Sequence, residues 1–174
     1  MNKRHFSAKD IALISLMVAI IEVCKFAFAS LPNIELTSFW IIIFTLYFRK
    51  RIFIVIPVFI LFEFIVYGFG TWWIMYLYAW PLLAGITMIF HKVNSSVYWA
   101  IVSGVFGLLF GLLCSIPYIF IGSADGNIVS GLSMAFAWWV AGIPFDIIHG
   151  VANFLIMLIL YHPIMSVMKR VPRP

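Results

Sequence analysis

The chain has 174 residues, 65% of them hydrophobic and only 10% charged, with a mean hydropathy of +1.13 and a formal net charge of +5. A soluble domain carries about 45–50% apolar and roughly 25% charged residues, so this composition excludes a water-soluble globular fold. The apolar runs approach the ~20 residues of a membrane helix and lack the alternation of barrel strands, so the chain reads as an all-α integral membrane protein.

Six spans are predicted within one transmembrane domain over 1–174. The first covers about 11–30 and is ended by Pro32; it is longer than a signal-peptide apolar region of about 7–15 residues, so it reads as a span. The second, about 36–48, is short and stops at "RKR" (49–51); it either begins within "PNIE" or is a broken segment set in protein. The third runs about 52–68 to "GFG", and the fourth about 72–90 to His91 and Lys92. The fifth covers about 97–121, before the turn-rich "GSADGN". The sixth covers about 132–162 and is too long for a single crossing; Pro144 is expected to interrupt it with a kink or an interfacial first turn.

An even number of spans puts both termini on one side. With that side cytoplasmic, Lys3, Arg4, Lys9, Arg49, Lys50, Arg51, Lys92, Lys169, Arg170 and Arg173 all lie inside, and the outer loops hold no Lys or Arg. This positive-inside asymmetry sets the orientation, and it accounts for the basic charge without nucleic acid. Cys24 and Cys114 lie within apolar segments and read as small packing residues.

Ionisable side chains inside the spans are Glu22, Lys25, Glu63, Asp146 and His149. Each is costly in a bilayer, so each should face the bundle interior or a watery cavity. Glu22 and Lys25 are three apart and can pair with each other. Asp146, His149 and Asn153 form one polar stripe, which either fixes helix register or floors a ligand site. Aromatics crowd the outer ends of the spans. Trp73, Tyr76 and Trp80 share a helix face, with Trp40, Trp138 and Trp139 at a similar level. An interfacial belt explains some of them, and an outward-facing ligand cavity explains the rest. Small residues form two seams, Gly104–Gly107–Gly111 and Ala12–Ser15–Ala19, suited to close helix approach. The chain has no GxxxxGK[ST] phosphate loop and no cluster at metal-ligand spacing. Gly131–Leu132–Ser133 with His149 is a faint echo of an intramembrane serine protease.

The stretches "SAKDIALISLMVAIIEVCKFAFASLPNIELTSFWIIIFTLYF", "YGFGTWWIMYLYAWPLLAG" and "AFAWWVAGIPFDIIHGVANFLIMLILYHP" resemble the substrate-binding (S) components of energy-coupling factor (ECF) vitamin transporters. The resemblance rests on whole-chain pattern rather than a short motif. It implies a multi-pass protein of a prokaryotic plasma membrane that is not itself an enzyme and carries no cofactor or metal. It also implies a vitamin captured from outside, and partners that are a transmembrane coupling subunit and two ATPase subunits, which hydrolyse the ATP. The family docks through small residues on its first helix; here the matching positions are Ala12, Ser15 and Ala19, with Ser15 standing where the family commonly has Ala. Expected ligand contacts are Glu35, Trp40, Trp73, Tyr76, Trp80, Trp138, Trp139, Asp146, His149 and Asn153. The apolar and aromatic walls suit a cobalamin-like corrinoid; a thiamine-like or other heteroaromatic vitamin is the alternative. A small intramembrane enzyme using Asp146 and His149 is the rival from another class.

Overall fold

A computed structural model describes residues 7–171, so Lys3, Arg4 and Arg173 of the charge pattern lie outside the described residues. The fold is all-helical. In order the helices are α1 (Ala8–Ala27), α2 (Thr37–Phe48), α3 (Ile52–Tyr67), α4 (Thr71–Ile89), α5 (Ser96–Leu108), α6 (Phe110–Gly122) and α7 (Ile128–Met168), with a 3-10 turn at Arg49–Arg51. Among the described residues, three helical stretches are long and apolar enough to cross a membrane: α4, the nearly continuous α5–α6 pair over Ser96–Gly122, and α7. α1 has 20 residues but carries Lys9, Asp10, Glu22 and Lys25, while α2 and α3 have only 12 and 16.

α1 starts where a capping box can form. Asp10 N–H donates to Ser7 Oγ at 3.2 Å, and Ser7 N–H donates to the Asp10 carboxylate at 3.1 Å. The Ser7 hydroxyl, which donates to the Asp10 carboxylate at 2.7 Å, and the Ser7 N–H, with Arg51 3.1 Å away, hold that carboxyl below its usual range.

α2 is the inner helix. It is apolar on every side and buried along nearly its whole length, with Ile41, Ile42 and Ile43 fully enclosed. A helix with no polar face is stable only inside other protein or lipid. Its shortness therefore matches the expectation of a segment set in protein.

α7 packs mainly on α5 and α6 through the glycine seam. A Cβ on Gly107 would meet Gly150 Cα at 2.9 Å, and one on Gly104 would meet the Gly150 carbonyl oxygen at 3.2 Å. The two backbones nearly touch, which only hydrogen side chains permit. The α5–α6 pair is offset at Leu109, and there the Gly111 N–H turns to Asp146 of α7 at 2.9 Å.

Pro144 does not interrupt the sixth span: α7 runs as one helix of 41 residues through both Pro144 and Pro163. Proline removes one backbone donor per site, and a long helix held along its length by neighbours tolerates the loss. Pro117 in α6 illustrates the compensation. A proline frees the carbonyl four residues earlier, that of Leu113, and Tyr78 of α4 donates its hydroxyl to that oxygen at 2.6 Å.

The basic turns gather at one end of the bundle. Arg51 reaches Asp10 at the start of α1, Arg49 reaches the His91 carbonyl at 3.5 Å, and Tyr47 donates to the Val171 carbonyl at 2.5 Å. The start of α1 and the end of α7 therefore share an end with Arg49–Arg51. The loop 28–36 and the α3–α4 turn lie at the opposite end.

Candidate functional site

The loop 28–36 is tied down by Glu35. Its carboxylate accepts from the Thr37 and Ser38 backbone N–H groups and from Ser38 Oγ at 2.8 Å, so it caps the start of α2. The same carboxylate meets His149 Nε2 of α7 at 3.1 Å. Burial pushes the Glu35 carboxyl up. The bond and charge from His149, joined by the Thr37 and Ser38 donors, outweigh that and hold it at about 2, against an ordinary 4.5. A carboxylate with a depressed value stabilises the fold above its ordinary value and loses that contribution as pH falls towards the depressed one. Wild type should therefore be more stable than Glu35→Gln above about pH 4.5, with the difference vanishing between 4.5 and about 2; paired thermal unfolding curves across that range check it.

Under this loop lies a cavity of about 260 Å³. The loop residues Phe28–Glu35 form its roof, and Tyr76 and Trp80 of α4, Phe110 of α6, His149 of α7 and Lys25 of α1 form its walls. The aromatic wall is continuous. Trp80 lies 5.2 Å from Tyr76 and 5.5 Å from Phe110, and Phe110 presents itself to the His149 ring at 5.0 Å. Trp80 is 2% exposed, and its indole N–H has no acceptor among the described residues. A buried donor left unpaired costs about 1–3 kcal/mol, so a donor beside a cavity is suited to a ligand acceptor.

Of the expected contacts, Glu35, Tyr76, Trp80 and His149 meet around this cavity. The others lie elsewhere. Trp40 donates to Cys24 Sγ at 3.2 Å and stacks on Phe44. Trp73 donates to the Ile60 carbonyl at 3.1 Å, so the ladder up α4 runs through Trp72, Tyr76 and Trp80 at four-residue steps, not through Trp73. Trp138 stacks on Tyr118 and Trp139 lies edge-on to Phe136, on the flank of α7. Asn153 is 1% exposed and sits away from the cavity, with neither amide atom partnered among the described residues.

Asp146 and His149 are not hydrogen-bonded to each other: one turns to Gly111 and the other to Glu35. Asp146 thus fixes register by capping the start of α6. Asp146→Ala should destabilise by about 1 kcal/mol, and Asp146→Asn by less because an acceptor remains; thermal unfolding in detergent separates them. Ser133 and His149 share α7, about 24 Å apart at 1.5 Å per residue, and are not brought together.

Glu22 does not pair with Lys25. Lys25 instead forms its ion pair with Glu63 of α3, and lies 3.4 Å from the Tyr76 hydroxyl. The i, i+3 spacing allowed the local pair, but the ammonium turns towards α3 and α4, where the Phe59, Tyr67 and Tyr76 rings lie 5.2–5.9 Å away. Phe110 and Phe28 were not anticipated as cavity walls. Phe110 sits inside a glycine-rich apolar run, and only the offset at Leu109 directs it inward.

Comparison with protein-family models, with curated proteins and with solved structures finds no match for the chain.

Proposed function

We propose that the chain is the substrate-binding component of an ECF-type vitamin importer, with six spans and both termini in the cytoplasm of a prokaryote. It takes its ligand from outside into the cavity beneath the loop 28–36, and docks on a coupling subunit served by two ATPases. The observation that carries this reading is the cavity: an aromatic wall, an orphan Trp80 donor and the Glu35–His149 pair beneath a loop at the end away from the basic turns. Ligand sites have this character, mostly apolar with a few placed polar groups. The seam of Ala12, Ser15 and Ala19 lies exposed on α1, which supports the docking role.

Cavity size bears on the ligand. About 260 Å³ lies just below the usual range of ligand sites, which span about 300–1,000 Å³. A heteroaromatic vitamin of one or two rings fits that space. A corrinoid is several times larger, and fits only if the loop 28–36 lifts away.

The test is co-expression with the host's coupling and ATPase subunits. A stable complex that accumulates a vitamin in an ATP-dependent manner is expected. A chain that folds but associates with no coupling subunit contradicts the reading. The docking seam is tested in the same assay: Ala19→Trp should abolish complex formation while leaving ligand binding by the isolated chain intact.

A further inference from the structure

Beside the ligand cavity lies a second one of about 300 Å³, lined by Lys25, Ala29, Glu63, Tyr67, Trp72 and Tyr76. It sits at the same end of the bundle, against the α3–α4 turn. Lys25, Ala29 and Tyr76 line the first cavity as well, so the two adjoin. The aromatic ladder of α4 passes through both. Trp72 lines only the second cavity, Tyr76 lines both and Trp80 only the first, with ring centroids 5.4 Å apart at the first step and 5.2 Å at the next. From Trp72 to Trp80 the helix rises about 12 Å, at 1.5 Å per residue. That length accommodates two ring systems end to end and is more than one ring spans.

Each cavity also has one buried polar side chain with an unmade bond, and the two are of opposite sense. In the first it is the Trp80 indole N–H, a donor without an acceptor among the described residues. In the second it is Glu63, 1% exposed, whose Oε2 holds Lys25 while its Oε1 has no donor among the described residues. Leaving such groups unpaired is costly, and a molecule that accepts at one end and donates at the other relieves both. Neither cavity alone exceeds the lower bound of about 300 Å³ usual for ligand sites, whereas the two taken together fall within the range.

We propose that the two cavities are lobes of one binding site, and that its ligand has two ring systems joined by a short bridge. One ring, bearing a hydrogen-bond acceptor, lies against Trp80 in the first lobe. The other, bearing an N–H donor, lies against Trp72 in the second and donates to Glu63. The bridge passes Lys25 and Tyr76, and because Lys25 is already paired with Glu63 the bridge needs no charge of its own. Two-lobed binding rests on the ligand-binding reading proposed above and goes past it, naming the class of ligand.

The full chain, purified from its host membrane, is denatured, and the compound released is identified and counted by mass spectrometry. Wild type is compared with Trp80→Leu, which alters only the first lobe, and with Trp72→Leu, which alters only the second; each is shown to be folded by its unfolding curve. Tyr67→Leu, at a half-exposed position of the second lobe, is read in place of Trp72→Leu should that variant not fold. One compound with two ring systems is expected, released at least tenfold less by Trp80→Leu and by the second-lobe variant alike. A compound with a single ring system overturns the two-lobed site, as does a folded second-lobe variant that retains the compound while Trp80→Leu loses it; the ligand-binding reading then stands. A folded wild type that releases no compound overturns that reading, and the two-lobed site with it.

Discussion

Gly107→Leu should unfold the bundle or abolish its ligand cavity. A Cβ at this position would stand 2.9 Å from three atoms, Gly150 Cα, Gly150 N and the His149 carbonyl carbon. All three are backbone, so no side chain can rotate out of the way, and α5 and α7 must separate. Overpacking of this kind typically costs about 1–3 kcal/mol, and a leucine here belongs at or above the upper end. Separation also draws His149 away from Glu35, so a surviving fold should lose its hold on the loop 28–36. Gly142→Ala on the facing helix α7 is the control, since an added Cβ there meets nothing within 4 Å. It should be neutral or stabilise slightly, by up to about 1 kcal/mol from helix propensity. Thermal unfolding of both variants in one detergent checks the contrast.

Lys25→Met should be nearly as damaging, for an electrostatic reason. Glu63 is 1% exposed, and Lys25 is its ion-pair partner. Removing one member of a buried pair strands the other and costs about 3–5 kcal/mol. Because the Lys25 side chain is 26% exposed, the low end of that range is expected. The double variant Lys25→Met, Glu63→Met should regain most of the loss, since no stranded charge remains. Unfolding midpoints of the two variants against wild type test this. A double variant no better than Lys25→Met would show that the pair is not what the single substitution removes.

Helix positions were largely legible in the sequence, because length and hydropathy dominate in a chain this apolar. The predicted second and third spans, about 36–48 and 52–68, fall on α2 and α3 within a residue or two. The interruption at Pro144 was misjudged because a proline weakens a helix without ending it when neighbours hold both sides. Side-chain partners were less legible. The local spacing of Glu22 and Lys25 suggested a pair, whereas the partner chosen lies 38 residues away on another helix. Periodicity placed Trp73 with Tyr76 and Trp80, since a three-residue and a four-residue step look alike on a helical face. The Ile60 carbonyl that holds Trp73 belongs to α3, and only tertiary structure brings it near. Tyr76, Trp80 and His149 stood out in the sequence as aromatic or ionisable groups inside predicted spans, whereas Glu35, in an outer loop, was expected through the resemblance; the four meet at one cavity.

Under the proposed function, this cavity holds a small heteroaromatic ligand. The most direct measurement is mass spectrometry of the small molecule released on denaturing the chain purified from its host membrane. Wild type and the flank variant Trp139→Leu should release the same compound, close to one per chain. Trp80→Leu and His149→Ala, folded by their unfolding curves, should release at least tenfold less. A folded wild type that releases no compound, or cavity variants that retain it as wild type does, would rule out ligand binding in this cavity.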